Sequence, residues 1–262
     1  MKGNKMKAIL VAGGEGSRLL PFTRYTHKTL LPLHNRPVID YALGTIRRAG
    51  ITDITIIGNR FIGQIAQHVG VGLETENIHY VIEENPKGVG HALNLARPHV
   101  EGHRILIYFS DNIISAELVN EVTSWKESDD PPGALLLGYN VDDPSSFGVG
   151  VFDEAGGLID IVEKPLNPPS NMAIGGIYLF DEDFWKILDE EMESQKERFS
   201  ITDINKRYLQ NQKVNLKVIG KEVWLDCGTP DSLLEAAIFA REGILSPFPC
   251  NYKENDPYVD GA

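Results

Sequence analysis

Sulfur is scarce in this sequence. Among 262 residues there are two cysteines, Cys227 and Cys250, and neither belongs to a CxxC pair or a Cys/His cluster. That excludes a disulfide framework and a thiolate zinc site, and it suits a reducing compartment. The seven histidines form no HExxH motif and no other paired-ligand spacing. Long hydrophobic runs are missing too. The first one, Ala8 to Ala12, is ended by glycines, far short of a signal-peptide core or a membrane span. A cytoplasmic protein with no membrane partner is therefore expected. Positive charge is in deficit: 25 Lys and Arg stand against 37 Asp and Glu, a formal net charge of −12. Such a field repels polyanions, so no nucleic-acid polymer is expected as a partner. An anionic ligand must then be held by a few cations placed close to it.

What the sequence does contain is an alternating rhythm. Ala8 to Ala12 reads as a strand buried on both faces, and Pro37 can open a helix from Val38 to about Ala49 on the stripe Ile39, Leu43, Ile46 and Ala49. Ile54–Ile57, Tyr80–Ile82 and Arg104–Phe109 read as further strands, with helices across Ile62–Val69 and Val89–Ala96, the last stopped by Pro98. This βαβαβαβ order predicts an α/β fold with a mostly parallel, Rossmann-like central sheet and helices on both faces. Beyond Trp125 the pattern changes. Ala134–Tyr139 and Ile174–Phe180 read as strands. Val149–Phe152 and Leu158–Val162 flank the turn Asp153–Gly157 as a hairpin, which predicts a smaller antiparallel region. Helices are expected over Phe184–Glu191, Ile201–Gln210 and Pro230–Arg241, and Asp129–Gly133 is expected to be a surface turn. With no internal repeat, the whole of 1–262 reads as a single domain.

The first strand runs directly into Gly13-Gly14-Glu15-Gly16-Ser17-Arg18-Leu19. Glycines there let backbone N–H groups close on a phosphate as an anion-binding nest. The dinucleotide fingerprint GxGxxG fails at Leu19, and no Gly-Lys-Ser/Thr closes a P-loop. In so acidic a chain, Arg18 within the loop and Arg24, His27 and Lys28 just after it point to an anionic ligand.

Gly13 to Leu19, with Pro21 and then Lys28-Thr29-Leu30-Leu31-Pro32, resembles the signature of the sugar-1-phosphate nucleotidylyltransferases. The resemblance continues, in order, through Gly88-Val89-Gly90-His91-Ala92, Ser110-Asp111-Asn112, Glu163-Lys164-Pro165, Ile201-Thr202-Asp203-Ile204-Asn205 and Trp224-Leu225-Asp226-Cys227-Gly228-Thr229. It spans nearly the whole chain, and thymidylyl members of short form are the nearest, uridylyl members next. The implied reaction condenses a nucleoside triphosphate, dTTP or UTP favoured, with a sugar 1-phosphate like glucose 1-phosphate and releases pyrophosphate. Residues 1–130 would serve mainly the nucleotide and 131–245 mainly the sugar phosphate, and 246–262 would be a polar tail too short for extra C-terminal helices. A homo-oligomer is compatible with this reading.

In such a reaction the sugar phosphate is already a nucleophilic anion, so no Ser/His/Asp or Cys/His constellation is needed, and catalysis is alignment and charge neutralisation. The resemblance implies five catalytic residues: Arg18, Lys28, Asp111, Lys164 and Asp226. Arg18 would grip the leaving β- and γ-phosphates, Lys28 the α-phosphate, and Lys164 the sugar phosphate. Asp111 and Asp226 would share Mg²⁺, a hard cation that takes few protein ligands. Gly13, Gly14, Gly16, Ser17, Glu83 and Gly88 would bind the nucleotide. Asn112, Gly148, Glu163, Gly175 and Tyr178 would join Lys164 around the sugar phosphate.

Three positions depart from the family. Glu83 stands where thymidylyl and uridylyl members carry Gln, and an ionised Glu only accepts hydrogen bonds. Either the base has an amino donor, as in CTP, GTP or ATP, or Glu83 turns to solvent and the backbone near Gly88 reads thymine or uracil; the second is favoured. Ser110 replaces the usual Gly, and Ser200 the usual Glu, which leaves the sugar open. The competing classes are a catalytically silent regulatory protein on the same fold and a Rossmann dehydrogenase. The retained charged residues oppose the first, and the failed fingerprint opposes the second.

Overall fold

An unbroken apolar run can bury both of its faces only as an inner strand, and β1 (Met6–Ala12) is one: its odd and even side chains enter two different cores. The computed structural model describes residues 6–129, 133–194 and 199–247. Cys250, the turn residues Asp130 to Pro132 and the tail from 248 onward lie outside the described residues. After β1 come three single 3₁₀ turns at Ser17–Leu19, Phe22–Arg24 and Lys28–Leu30, and the two-residue strands β2 (Pro32–Leu33) and β3 (Arg36–Pro37). Next are α1 (Val38–Arg48), β4 (Asp53–Gly58), α2 (Ile62–Val69), β5 (Asn77–Ile82), α3 (Val89–Val100) and β6 (Arg104–Phe109). Then follow β7 (Asn112–Ile114), α4 (Val119–Glu127), β8 (Ala134–Asn140), β9 (Gly148–Phe152), β10 (Leu158–Glu163) and β11 (Met172–Phe180). The described chain closes with α5 (Phe184–Glu193), α6 (Ile201–Gln210), β12 (Val214–Ile219), β13 (Trp224–Asp226) and α7 (Pro230–Arg241).

The strands β6-β1-β4-β5 are parallel neighbours, as the alternating rhythm implies. The antiparallel region is not a separate sheet: β11 pairs antiparallel with β6, β8 and β9, and β9 carries the hairpin partner β10, so one nine-stranded sheet runs throughout. A separate pair, β13 with β7, sets Asp226 opposite Asn112. Ile39, Leu43 and Ile46 of α1 and Val122 and Trp125 of α4 cover one sheet face. Leu93 and Ala96 of α3, with residues of α5 and α6, cover the other.

One expectation changes and one helix is additional. The helix after Gly88 continues through Pro98 to Val100. Proline in a last turn forfeits a single backbone bond, and the fully buried Val100 anchors that turn. The helix α4 also exceeds the sequence reading, because its apolar stripe is only Val122 and Trp125.

Candidate active site

The carboxyl ends of parallel strands share one rim of a sheet, and ligands of open α/β sheets bind beyond it. Here β1, β4, β5 and β6 deliver Gly13, Asn59, Glu83 and Asp111 to that rim. The glycine loop lies across it. Gly16 takes a left-handed conformation (φ 66°), which turns the chain into the first 3₁₀ turn. A Cβ at Gly14 would come within 2.9 Å of Lys28 Nζ, so the loop rests closely on that lysine. Among the described residues nothing accepts the N–H groups of Gly14, Glu15 and Gly16, which leaves three donors for a ligand. Ser17 opens the 3₁₀ turn and is exposed.

Under the loop four charged groups converge. Lys28 Nζ is in direct contact with Asp111 Oδ2, and Arg18 Nη2 stands 3.9 Å from Asp226 Oδ1. Burial alone would raise the Asp111 pKa, but the Lys28 charge and hydrogen bond, helped by Asn112, bring it below the ordinary carboxylate value. Asp226 goes the other way: burial and then the nearby Asp111 charge raise it, against Lys28 and Arg18. Its Oδ1 is buried and makes no hydrogen bond. Asn112 ties the group to the sheet, donating from Nδ2 to Asp111 Oδ1 at 3.1 Å and accepting the Trp224 indole N–H on Oδ1 at 2.9 Å.

His27 is not one of the converging cations. It is 1% exposed, and burial, followed by the Lys28 charge, lowers its pKa to about 4. Its Nδ1 accepts the Thr29 N–H at 3.2 Å, so the ring caps the turn that carries Lys28.

Glu83 does not turn to solvent. It is 4% exposed, with Oε1 accepting the Lys87 N–H at 3.3 Å and lying 3.1 Å from His91 Nδ1. Its Oε2 points at the loop, 3.3 Å from where a Cβ on Gly13 would sit. Two nearby donors and the start of the glycine loop hold the carboxylate inward.

Of the residues expected around the sugar phosphate, Glu163 and Lys164 line a polar cavity of about 660 Å³ together with Gly88, Ser200, Thr202 and the flanking lysines Lys87 and Lys206, whereas Asn112, Gly148, Gly175 and Tyr178 do not line it. Glu163 Oε2 accepts the Thr202 hydroxyl at 2.5 Å, and a Cβ on Gly148 would meet that hydroxyl oxygen at 3.0 Å. Lys164 stands 3.6 Å from Glu163 and is left-handed (φ 44°), although it precedes Pro165. Proline disfavours helical conformations in its predecessor, and strain of this kind gathers at functional sites. Tyr178 is 3% exposed and packs on Phe180, with burial and then the Glu163 charge raising its pKa. Its hydroxyl lies 3.4 Å from where a Cβ on Gly175 would sit, and both residues are buried, Tyr178 within the core rather than on the cavity wall. Ser200 caps α6 in a capping box with Asp203.

Three residues here escaped the individual reading of the sequence. Thr202 was visible only as part of its motif. Gly176 allows the Asn112 side chain to pack where a Cβ would collide with it. Gly228 leaves room for the Arg18 guanidinium beside Asp226.

Comparisons with known proteins place the chain among nucleotidyl transferases. A model of the nucleotidyl transferase family matches residues 7–243. A glucose-1-phosphate thymidylyltransferase of Mycobacterium tuberculosis is 35% identical over 245 residues, covering 90% of this chain and 82% of that protein. One from Xanthomonas campestris is 36% identical over 236 residues, covering 89% and 80%. Among solved structures, a Bacillus anthracis protein described as a glucose-1-phosphate thymidylyltransferase in complex with sucrose superposes with a TM-score of 0.84. It is 35% identical, covering 90% of this chain and 96% of that one. A UDP-glucose pyrophosphorylase with bound UDP-glucose shares the fold, with a TM-score of 0.79, 21% identity and coverage of 91% and 99%.

Proposed function

The chain belongs to the nucleotidyl transferase family, and from that premise we propose that it transfers a nucleotidyl group from a nucleoside triphosphate, dTTP or UTP, to a sugar 1-phosphate of the glucose 1-phosphate kind. The products are a nucleoside diphosphate sugar and pyrophosphate. The observation that carries the reading is the convergence of Arg18, Lys28, Asp111 and Asp226 beneath three loop N–H groups that have no acceptor among the described residues.

An oxygen of the sugar phosphate forms a bond to the α-phosphorus as the bond from that phosphorus to the β-phosphate oxygen breaks, in line. Pyrophosphate leaves with the electron pair, and no proton has to be removed from the nucleophile. The loop N–H groups and Arg18 hold the β- and γ-phosphates, and Lys28 lies at the α-phosphate. Lys164 binds the sugar phosphate, while Glu163, positioned by Thr202, accepts from sugar hydroxyls. Asn112, Gly148, Gly175 and Tyr178 support the sugar side without lining the cavity, and Glu83 with Gly88 borders the base.

A divalent cation fits this donor set. Asp111 and Asp226 supply hard carboxylate oxygens, and Asp226 Oδ1 is buried without a hydrogen bond. These two residues would hold Mg²⁺, which when bound neutralises phosphate charge as it builds on the leaving group.

No helix among the described residues is long and apolar enough to cross a membrane; action in the cytoplasm, on small-molecule substrates, is part of this proposal. Residues 1–130 serve mainly the nucleotide and 131–245 mainly the sugar phosphate within one catalytic unit, with Asn112 and Asp226 crossing that division. The test is a panel of dTTP, UTP, CTP, GTP and ATP, each with glucose 1-phosphate and Mg²⁺, assayed for pyrophosphate. Release with dTTP or UTP supports the reading, and silence across the panel, extended to other sugar 1-phosphates, rejects it.

A further inference from the structure

We infer that Asn59, just after β4, and Gln64, in the first turn of α2, are positioning residues that aim the glycine loop and Lys28 at the nucleotide, an inference that rests on the nucleotidyl-transfer reading. Asn59 follows the last residue of β4 and is 5% exposed. Its Oδ1 accepts the Phe61 N–H at 2.9 Å, which assigns the amide nitrogen to the opposite side. That nitrogen donates to the Gly13 carbonyl at 3.4 Å and the Gly14 carbonyl at 3.3 Å.

In a trans peptide the C=O and the following N–H point in opposite directions. Turning the Gly13 and Gly14 carbonyls toward Asn59 therefore turns the N–H groups of Gly14 and Glu15 away from it, and neither has an acceptor among the described residues. Glycine peptides flip easily, because no Cβ restricts φ. One flip would present a carbonyl dipole to a triphosphate where a donor is needed. Both bonds are at the long end of the range, so they do little for global stability; their effect is to choose one loop conformer.

Gln64 does the same for the other arm of the site. Its Oε1 accepts the His27 N–H at 3.2 Å, and its Nε2 donates to the Tyr25 carbonyl at 2.9 Å. That fixes the chain immediately before Lys28, whose ammonium must meet Asp111. Two amides five positions apart thus set the two arms of the phosphate grip, while their own polar atoms are engaged with the backbone.

The experiment uses isosteric changes. Asn59→Asp keeps the acceptor for the Phe61 N–H and removes the donor, and Asn59→Ala removes both without adding charge. Gln64→Glu keeps the acceptor for His27 and removes the donor to Tyr25. Each full-length variant is compared with the parent for thermal unfolding, for KM of each substrate, and for calorimetric binding of inorganic tripolyphosphate. Asn59→Ala should raise KM for the triphosphate and Kd for tripolyphosphate about tenfold, Asn59→Asp more, with KM for the sugar 1-phosphate unchanged. Gln64→Glu should lower kcat about tenfold and weaken tripolyphosphate binding, and a folded Gln64→Glu variant that matches the parent in both would remove Gln64 from the inference. If folded Asn59 variants bind tripolyphosphate like the parent, or if both KM values rise together, the inference is wrong. A parent that binds tripolyphosphate through Asn59 yet turns over no substrate pair would sink the proposed reaction alone; a parent that binds no tripolyphosphate would sink both.

Discussion

Lys28 Nζ and Asp111 Oδ2 meet in a direct ion pair across 83 positions of sequence, each side chain only 14% exposed. Removing one partner of a buried pair leaves the other as an uncompensated charge, at a cost of about 3–5 kcal/mol. Here the charge left behind would be Asp111, already close enough to Asp226 for the two carboxylates to repel. Lys28→Met should therefore lower both thermal stability and turnover, the latter by about 100-fold or more. Differential scanning calorimetry and a pyrophosphate assay on the same preparation check it. An unchanged Tm would show that the pair contributes nothing to folding.

Asp226 should show the opposite combination. Burial and the Asp111 charge both disfavour its ionised form, and Lys28, Arg18 and the Gly228 backbone offset this only in part. Asp226→Asn removes that penalty, so Tm should rise by about 2 °C. Turnover should fall by about 2–4 kcal/mol of barrier, because a cation ligand is lost. EDTA should abolish parental activity and Mg²⁺ restore it. A variant that is both less stable and fully active would remove Asp226 from the proposed site.

The two substrate grips should separate kinetically. Arg18 stands beside Asp226 under the glycine loop, and Lys164 stands beside Glu163 in the polar cavity. Arg18→Ala should weaken triphosphate binding and turnover together. Lys164→Ala should mainly raise KM for the sugar 1-phosphate. Varying each substrate against a saturating partner gives both values. Equal defects toward the nucleotide alone would contradict the division of roles.

Much of this was legible from periodicity. An apolar run bounded by Lys7 and Gly13 specifies an inner strand, and the loop after it specifies a ligand edge. The motifs also named most of the side chains that converge. What periodicity misses is set by partners distant in sequence. Strand β12 is not such a case: Val214-Asn215-Leu216-Lys217-Val218 alternates with the period of a half-buried strand, and it pairs in parallel with β8. The His27 ring is neutral because it is buried, which no local pattern reveals. Asn59 looks like an ordinary loop residue until Gly13 and Gly14 are brought to it.

Acid should destabilise the fold through His27. Burial, then the Lys28 charge, lowers its pKa from 6.5 to about 4, so between those values the folded state binds fewer protons than the unfolded one. Its contribution is complete above the unfolded value and is lost as pH falls through the window. At 1.36 kcal/mol per unit the total is about 3 kcal/mol. Urea midpoints measured from pH 7 to pH 4 should fall for the parent and fall less for His27→Asn, whose side-chain oxygen can still accept the Thr29 N–H. Identical acid slopes would assign the effect to other groups.

In the proposed reaction the inward-held Glu83 should influence which base is accepted. Its Oε1 is occupied by the Lys87 N–H and lies near His91, while Oε2 faces Gly13 at the loop. A carboxylate held there can accept the ring N–H of thymine or uracil, but it offers no donor to the carbonyls on either side. An unpaired carbonyl in a closed site costs about 1–3 kcal/mol, enough to reverse a preference between bases. Glu83→Gln keeps an acceptor for Lys87 and His91 and turns an N–H₂ toward the loop. The variant should use dTTP and UTP as well as the parent does or better, by up to about tenfold in kcat/KM. Any use of CTP, whose amino group needs an acceptor, should decline. The informative comparison is the ratio of dTTP to CTP turnover in parent and variant, measured side by side. If the parent ignores dTTP and UTP and Glu83→Gln creates that activity, the inward carboxylate is the selector, and the natural substrate carries an amino-bearing base instead.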